Sequence, residues 1–177
     1  MLAEFELGIL NFIQEYIRSP LGDVVIPFIT RLGDAGIIWI LLAAVLLIYP
    51  KTRRVGAVVA LSLVLEALAC NVILKPLVAR TRPFDLVEIA LLIPKPEDFS
   101  FPSGHTGAAF ACVGGLYWAK SKLWVPAAVL GGLIAFSRLY LHVHFPTDVA
   151  AGIILGLVSG WAASRILEWY RRRRELK

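Results

Sequence analysis

Five apolar stretches, separated by short polar segments, dominate the chain. They cover residues 35–50, 55–74, 99–119, 123–137 and 149–164. Several are shorter than the roughly 20 residues that a helix needs to cross the hydrocarbon core of a bilayer, and one such stretch alone would also fit a buried helix of a soluble protein. Five in succession favour membrane-embedded helices whose ends carry polar residues. The pattern therefore predicts an all-α integral membrane helical bundle.

The region before these stretches has a different pattern. Residues 3–18 place apolar and polar side chains at helical spacing, which predicts an amphipathic helix lying at the outer membrane interface. Residues 20–33 predict a second short helix, which leaves a partial sixth span open. The bundle thus has five to six spans within a single domain. Its expected parts are interfacial helices at 1–33, the transmembrane bundle at 34–170 and a basic cytoplasmic tail at 171–177.

Composition agrees with the membrane prediction, because 58% of the residues are hydrophobic. The net charge of +5 does not indicate nucleic-acid binding, since the basic residues do not cover an aromatic, polar surface. They cluster after the first, third and fifth stretches, and with five spans all these clusters fall on one side. The positive-inside rule assigns that side to the cytoplasm. The clusters are Lys51, Arg53 and Arg54, then Lys120 and Lys122, then Arg171 to Arg174.

The segments 76–98 and 138–148 are then expected on the outer side, where the polar motifs gather. These motifs are KPLVARTRP at 75–83, FPSGHTG at 101–107 and SRLYLHVHFPTD at 137–148. A single Lys or Arg there would fit simple snorkelling to the interface. Several cations beside imidazoles favour phosphate binding, because guanidinium groups grip phosphoryl oxygens bidentately. The cations are Lys75, Arg82 and Arg138, and the imidazoles are His105, His142 and His144.

Two of the motifs also read as helix starts. Pro102, Ser103 and Gly104 indicate an N-terminus with Ser103 as its cap, and the amides of Gly104 and His105 would point at an anion. The third motif places Pro146 at a first helical position. Every fourth residue of the last stretch is a glycine, at 152, 156 and 160, which predicts close approach of a neighbouring helix.

The histidines allow more than one use. His144 with Asp148 four residues later suits a nucleophile or base oriented by a carboxylate. A metal site built from His142 and His144 would need His105 and Asp148 as further ligands, and the surrounding cations would repel a metal ion. No metal site and no cofactor are therefore predicted. Cys70 and Cys112 lie inside apolar stretches and indicate no disulfide framework.

The order and spacing of these residues resemble the three signature motifs of the type 2 phosphatidic acid phosphatase superfamily. Lys75 is followed by six residues and then Arg82-Pro83. Pro102-Ser103-Gly104-His105 forms the second motif, and the third runs from Ser137-Arg138 through His144 to Asp148. Three motifs in order with matching internal spacing make a specific signal. The match covers residues 75–148.

The resemblance implies a metal-independent lipid phosphatase that works through a phosphohistidine. His144 would attack phosphorus, Asp148 would orient its ring, and His105 would protonate the leaving oxygen. The remaining motif residues would hold the phosphate oxygens; these are Lys75, Arg82, Ser103, Gly104 and Arg138. His142 matches no motif position. The expected partners are the lipid bilayer and a lipid phosphate at the extracytoplasmic face of the plasma membrane.

Small members of this superfamily that dephosphorylate undecaprenyl diphosphate are the most similar in size and organisation. Members acting on phosphatidylglycerophosphate or phosphatidic acid share the same motifs and stay as alternatives. Two other classes are possible on the same scaffold. A vanadate-binding haloperoxidase has a similar oxyanion pocket, but the membrane composition argues against it. A non-catalytic lipid-binding or transport protein would be expected to lack His144, His105 or Asp148.

Overall fold

The computed structural model describes residues 2–175, and these residues are mainly helical. Helix makes up 77% of the structure, and no strand occurs in the described part of the chain, so the all-α prediction is confirmed. We number the α-helices in chain order: α1 Leu2–Phe12, α2 Pro20–Leu32, α3 Ile37–Ile48, α4 Arg53–Ala67, α5 Lys75–Val78, α6 Gly104–Trp118, α7 Trp124–Tyr140 and α8 Pro146–Glu175.

The N-terminal segment forms the predicted helix, and a π-helical turn at Ile13–Ile17 extends α1. Leu10 is buried, whereas Phe5, Phe12 and Tyr16 are exposed, so the helix has one face toward the bundle and an aromatic face outward. Its acidic Glu6 is also buried, although an interfacial helix would be expected to expose such a residue. The packing around Glu6 thus differs from a simple amphipathic pattern.

Length and apolar composition identify candidate spans among residues 2–175. Arg53–Asp85 and Pro146–Arg174 are each long enough to cross a bilayer, and α2 with the following Asp34–Ile48 forms a pair bent by 41° that could make a third span. The 15 residues of α6 and the 17 of α7 extend only about 22 and 26 Å at 1.5 Å per residue. The predicted total of five to six spans therefore stays a prediction.

Helix α6 lies at the centre and packs most extensively on α8. The predicted close approach at the glycines of α8 is confirmed. A Cβ on Gly156 would come within 2.5 Å of the carbonyl oxygen of Gly107, and one on Gly160 would come within 2.5 Å of the backbone of Gly114. These contacts leave no room for side chains, so the two helix backbones pack directly against each other.

Several boundaries differ from those of the apolar stretches. Arg138 lies inside the last turn of α7, and the segment predicted as a loop at 138–148 is an irregular link of only 141–145. Helix α4 continues through a π-helical turn, Leu68–Leu74, which precedes Lys75 and α5. The basic residues at 171–174 continue α8, and residues 176–177 of the predicted tail lie outside the described residues.

The basic clusters and the polar motifs occupy opposite ends of the bundle. Arg54, Lys120 and Arg171 line one common cavity, which brings together the three clusters that were expected on one side. At the other end, Lys75 follows the π-helical turn and Gly104 begins α6, where the C-terminal end of α7 and the start of α8 also meet. This second end carries the candidate site.

Candidate active site

A cavity of about 300 Å³ opens at the motif end of the bundle. Six of the eight residues expected from the sequence line it: Lys75, Arg82, Gly104, His105, Arg138 and His144. Ser103 and Asp148 are fully buried behind this wall. The structure therefore brings residues from α5, α6, α7 and the links between helices to one small polar space.

His144 lies between a cation and a carboxylate. Its Nε2 atom is 3.3 Å from Nη1 of Arg82, and its Nδ1 atom is 3.6 Å from Oδ2 of Asp148, slightly beyond hydrogen-bond range. A guanidinium can only donate, so Nε2 accepts and the ring proton lies on Nδ1, facing Asp148. This tautomer leaves the lone pair of Nε2 on the side of the cation.

The electrostatic surroundings of His144 favour the neutral ring. Burial lowers the pKa of His144 to about 3; Asp148 raises it, and the positive Arg82 and Arg138 add to the lowering. The pKa falls because loss of water and the nearby cations both destabilise the charged form of the ring. The imidazole is therefore unprotonated at neutral pH, as a nucleophile must be, and its Nε2 lone pair can attack once Arg82 gives that hydrogen bond to another acceptor.

Asp148 is held by several donors at the start of α8. Its Oδ2 atom accepts from the hydroxyl of Ser100 at 2.5 Å and from the backbone N–H of Phe145 at 2.8 Å. Its Oδ1 atom accepts from Nη1 of Arg80 at 2.6 Å. The carboxylate is completely buried, and these contacts fix the edge that it presents to His144.

Arg82 and Lys75 share an acidic partner that the sequence did not indicate. Nη2 of Arg82 donates to Oδ1 of Asp98 at 2.6 Å, and Lys75 pairs with the other carboxylate oxygen. Burial of Asp98 raises its pKa, but the bonds and charges of Lys75 and Arg82 outweigh this effect and lower the pKa to about 2. Asp98 is thus paired with two of the cations that were expected to bind phosphate.

Arg138 adds a third cation with little local compensation. It is 2% exposed, its Nη1 atom donates to the hydroxyl of Thr30 at 2.5 Å, and its buried Nε has no hydrogen-bond partner. A buried cation that keeps an unused donor is costly unless an anion completes it. Together with Lys75 and Arg82, it makes the cavity suited to an oxyanion with several oxygens.

His105, in the first turn of α6, faces the same cavity. Its Nε2 atom lies 2.8 Å from Oδ1 of Asp34, a residue of the link between α2 and α3. The first amides of α6 lack partners within the helix, and Gly104 begins it with no side chain to obstruct them. The site therefore combines a second histidine–carboxylate pair with a helix N-terminus.

Ser103 does not make the predicted cap, and His142 lies apart from the cavity. Ser103 occupies the N-cap position of α6, but its hydroxyl makes no capping bond and lies 3.0 Å from Oγ1 of Thr106, so the predicted side-chain cap is wrong. His142 is buried, and neither ring nitrogen has a hydrogen-bond partner. It is not among the residues that line the cavity.

The structure also brings in residues that the sequence analysis did not select. Asp34, Asp98 and Thr30 line the cavity, and Arg80 binds Asp148 from behind. Asp34 and Asp98 precede the second motif and resemble ordinary loop carboxylates in sequence. Among the described residues, no group of three or more His, Cys, Asp or Glu is placed to hold a metal ion.

The chain is similar to known proteins in both sequence and structure. A family model described as "PAP2 superfamily" matches residues 55–172. An undecaprenyl-diphosphatase of Sulfolobus acidocaldarius is 37% identical over 125 residues, which are 67% of this chain and 58% of that protein. The chain thus spans less than two thirds of that relative's length.

Two crystal structures are similar over nearly the whole chain. That of Aquifex aeolicus LpxE has a TM-score of 0.77 at 29% identity and covers 90% of this chain and 94% of its own. A transmembrane PAP2-type phosphatidylglycerolphosphate phosphatase from Bacillus subtilis has a TM-score of 0.68 at 28% identity, with coverage of 93% and 92%. The helical arrangement is therefore shared over at least 90% of this chain.

Proposed function

Because the chain belongs to the PAP2 superfamily, we propose that it is a membrane lipid phosphatase that converts undecaprenyl diphosphate to undecaprenyl phosphate. The observation that carries the proposal is the neutral, buried His144, with Nε2 3.3 Å from Arg82 and Nδ1 directed at Asp148. This combination supplies an oriented nucleophile beside the cations that would bind its target.

In the proposed first step, Nε2 of His144 attacks the terminal phosphorus. The P–N bond forms as the bond to the leaving oxygen breaks, and the proton on Nδ1 stays toward Asp148. Lys75, Arg82 and Arg138 neutralise the charge on the phosphoryl oxygens, and the amide of Gly104 contributes the N-terminus of α6. Burial and the charge of Arg138 lower the pKa of His105 to about 4. The negative charge of the bound diphosphate opposes this effect, so His105 takes up a proton in the complex and gives it to the leaving oxygen.

In the second step, water replaces His144 on phosphorus. His105, now neutral, takes the proton of that water, and inorganic phosphate and free His144 are released. Protons balance over the two steps, since His105 loses one and regains one. Three cations already provide the positive charge that a metal ion would supply, so the proposed reaction is metal-independent.

The relatives support the proposed substrate, and the charge distribution supports the proposed membrane face. The similar Sulfolobus protein is named an undecaprenyl-diphosphatase, which favours a polyprenyl diphosphate. The basic clusters at the opposite end favour a site on the extracytoplasmic side. Phosphatidylglycerophosphate is the second candidate, because the Bacillus subtilis structure named for that activity is similar over 93% of this chain.

The test is phosphate release by the purified protein with EDTA present. Undecaprenyl diphosphate, phosphatidylglycerophosphate and phosphatidic acid are compared at equal surface concentration. We expect the highest kcat/KM with undecaprenyl diphosphate, and an acid-labile, base-stable phosphoenzyme from ³²P-labelled substrate in the wild type but not in His144→Ala. Release from none of the three lipids would contradict the proposal, and a faster reaction with phosphatidylglycerophosphate would favour the second candidate.

A further inference from the structure

In sequence, Arg80 lies between Lys75 and Arg82, which both line the cavity. Arg80 itself does not line this cavity. It binds three side chains behind the wall instead. Nη1 donates to Oδ1 of Asp148 at 2.6 Å and to the hydroxyl of Thr147 at 2.7 Å, and Nη2 donates to Oε2 of Glu6 at 2.6 Å. The guanidinium carbon also lies 4.0 Å from the centre of the Phe145 ring. Arg80 is therefore a fixed cation that no part of the proposed reaction uses.

The bond to Asp148 determines how that carboxylate faces His144. Arg80 holds Oδ1, whereas Ser100 and the Phe145 amide hold Oδ2, the oxygen nearest to Nδ1 of His144. Without Arg80, the carboxylate would keep donors on one oxygen only and could rotate about its side-chain bonds. Its orientation toward the imidazole therefore depends on a residue outside the cavity.

Glu6 connects this arrangement to the first helix of the chain. It is 1% exposed, and its Oε1 atom accepts from the backbone N–H of Thr147 at 2.9 Å and from the Thr147 hydroxyl at 2.6 Å. Thr147 is in the first turn of α8, where a carboxylate is favoured by the helix dipole and satisfies an unpaired amide. Glu6 thus fixes α1 onto the start of the helix that carries Asp148.

The charges of Glu6 and Asp148 explain why Arg80 is needed between them. Glu6 and Asp148 are two fully buried carboxylates bridged by one guanidinium, and a buried carboxylate without its cation is strongly disfavoured. The other charged or titratable group facing Asp148 is His144, itself beside Arg82 and Arg138. Loss of Arg80 would leave two carboxylates competing for protons, and an Asp148 that holds a proton no longer stabilises a charged imidazole.

From these contacts we propose that Arg80 and Glu6 are positioning residues for the His144–Asp148 pair, and that α1 completes the active site through them. The proposal rests on the proposed function, in which His144 is the nucleophile. It assigns the buried acidic residue of an otherwise amphipathic helix to catalysis. The exposed face of the same helix carries Phe5, Phe12 and Tyr16, so a segment with an aromatic outer face also supports the proposed catalytic carboxylate.

The experiment measures kcat, KM and the pH dependence of kcat for Arg80→Gln, Arg80→Lys and Glu6→Gln in the full-length protein. We expect Arg80→Gln and Glu6→Gln to lower kcat by roughly 10- to 100-fold, by analogy with the loss seen when an outer-shell partner of a metal-ligating histidine is removed. KM should change by less than about three-fold, because positioning acts on the reaction and not on uniform binding. Arg80→Lys keeps the charge and should recover part of kcat.

The pH profile separates positioning from general loss of structure. Removing the cation in Arg80→Gln should move the acidic limb of kcat to higher pH, whereas removing the anion in Glu6→Gln should move it to lower pH. The matched control is Glu15→Gln, which removes an exposed carboxylate from the same N-terminal segment and should change neither quantity. If Arg80→Gln does not fold, kcat and the pH profiles of Glu6→Gln and Arg80→Lys test the positioning role.

Different results would contradict the positioning role and the proposed function. If the wild type releases phosphate, His144→Ala does not, and Glu6→Gln has wild-type kcat and pH profile, the positioning role is wrong and the phosphatase remains. Equal falls in kcat without opposite shifts of the acidic limb also overturn it, because they indicate a structural role alone. A wild type without phosphatase activity refutes the proposed function itself.

Discussion

Under the proposed function, Asp98 lies where a phosphate would bind between two cations. Its two carboxylate oxygens pair with Lys75 and Arg82, and its side chain is 52% exposed. With its pKa lowered to about 2, it stays charged at any pH at which the protein would work. An arriving phosphate must therefore displace it, and Asp98 competes with substrate for the same donors.

This competition predicts the effect of Asp98→Asn. We expect inhibition by orthovanadate, a phosphate analogue, to strengthen by roughly five-fold, the size typical of a part-exposed ion pair. Asp85→Asn is the control, since Asp85 also pairs with a lysine at 2.6 Å but that partner, Lys95, is exposed. Inhibition constants from phosphate-release assays check the prediction. Weaker inhibition in Asp98→Asn would mean that Asp98 orders the two cations instead of competing for them.

His142 shows how a residue can be buried and still be replaceable. Its backbone has a φ of 57°, which Asn tolerates better than most side chains, and both ring nitrogens lack partners. Burial lowers its pKa, so the ring is neutral at pH 7. Because the ring makes no hydrogen bond, replacing it with another polar side chain leaves no partner group orphaned.

We therefore expect His142→Asn to keep most of the phosphatase activity and the thermal stability of the wild type. His144→Ala should lose more than about 10³-fold in kcat, as expected on removal of a nucleophile. Phosphate release and thermal unfolding of the two purified variants provide the comparison. Similar losses of activity in both would give His142 a direct part in the reaction.

At the scale of helices, the contact between α6 and α8 determines the geometry of the site. Gly104 begins α6 and Asp148 lies in the first turn of α8, and the backbone N–H of Ser103 donates to the carbonyl of Asp148 at 3.0 Å. The distance between these helices therefore sets how closely the first amides of α6 approach the His144–Asp148 pair. The glycine spacing predicted that a neighbouring helix approaches closely, but it did not identify that helix as α6.

Gly156→Ala tests this contact. Its Cβ would lie 2.5 Å from the Gly107 carbonyl oxygen and 2.6 Å from the Ala111 amide nitrogen, both of which are backbone and cannot turn aside. We expect a loss of about 1–3 kcal/mol in stability together with reduced kcat. Gly132→Ala on α7 is the control, because nothing lies within 4 Å of its added Cβ. Thermal unfolding of both variants in one detergent is the measurement, and equal midpoints would show that α8 can shift without cost.

At the scale of the whole molecule, local patterns predicted the helical class and the members of the cavity, but not the residues that hold them. Motif spacing identified His144 and Asp148 because the two lie within one turn of each other. Glu6 is 74 residues from Arg80 and 141 from Thr147, and an acidic residue in an amphipathic pattern normally indicates a solvated face. Only the tertiary packing of α1 on α8 reveals its buried position.

The charge distribution of the whole bundle makes a last prediction, which concerns its orientation. The polar cavity and the basic clusters lie at opposite ends, and the positive-inside rule then places the cavity outside. In a background with Cys70→Ala and Cys112→Ala, both buried in the wild type, a membrane-impermeant thiol reagent should label Glu97→Cys on intact cells. It should not label Lys122→Cys until the membrane is opened. Both positions are exposed on the protein surface, so the difference reports the membrane and not local burial. Labelling of Lys122→Cys alone would invert the orientation and move the proposed reaction to the cytoplasmic face, where the diphosphate would have to be delivered from the opposite side.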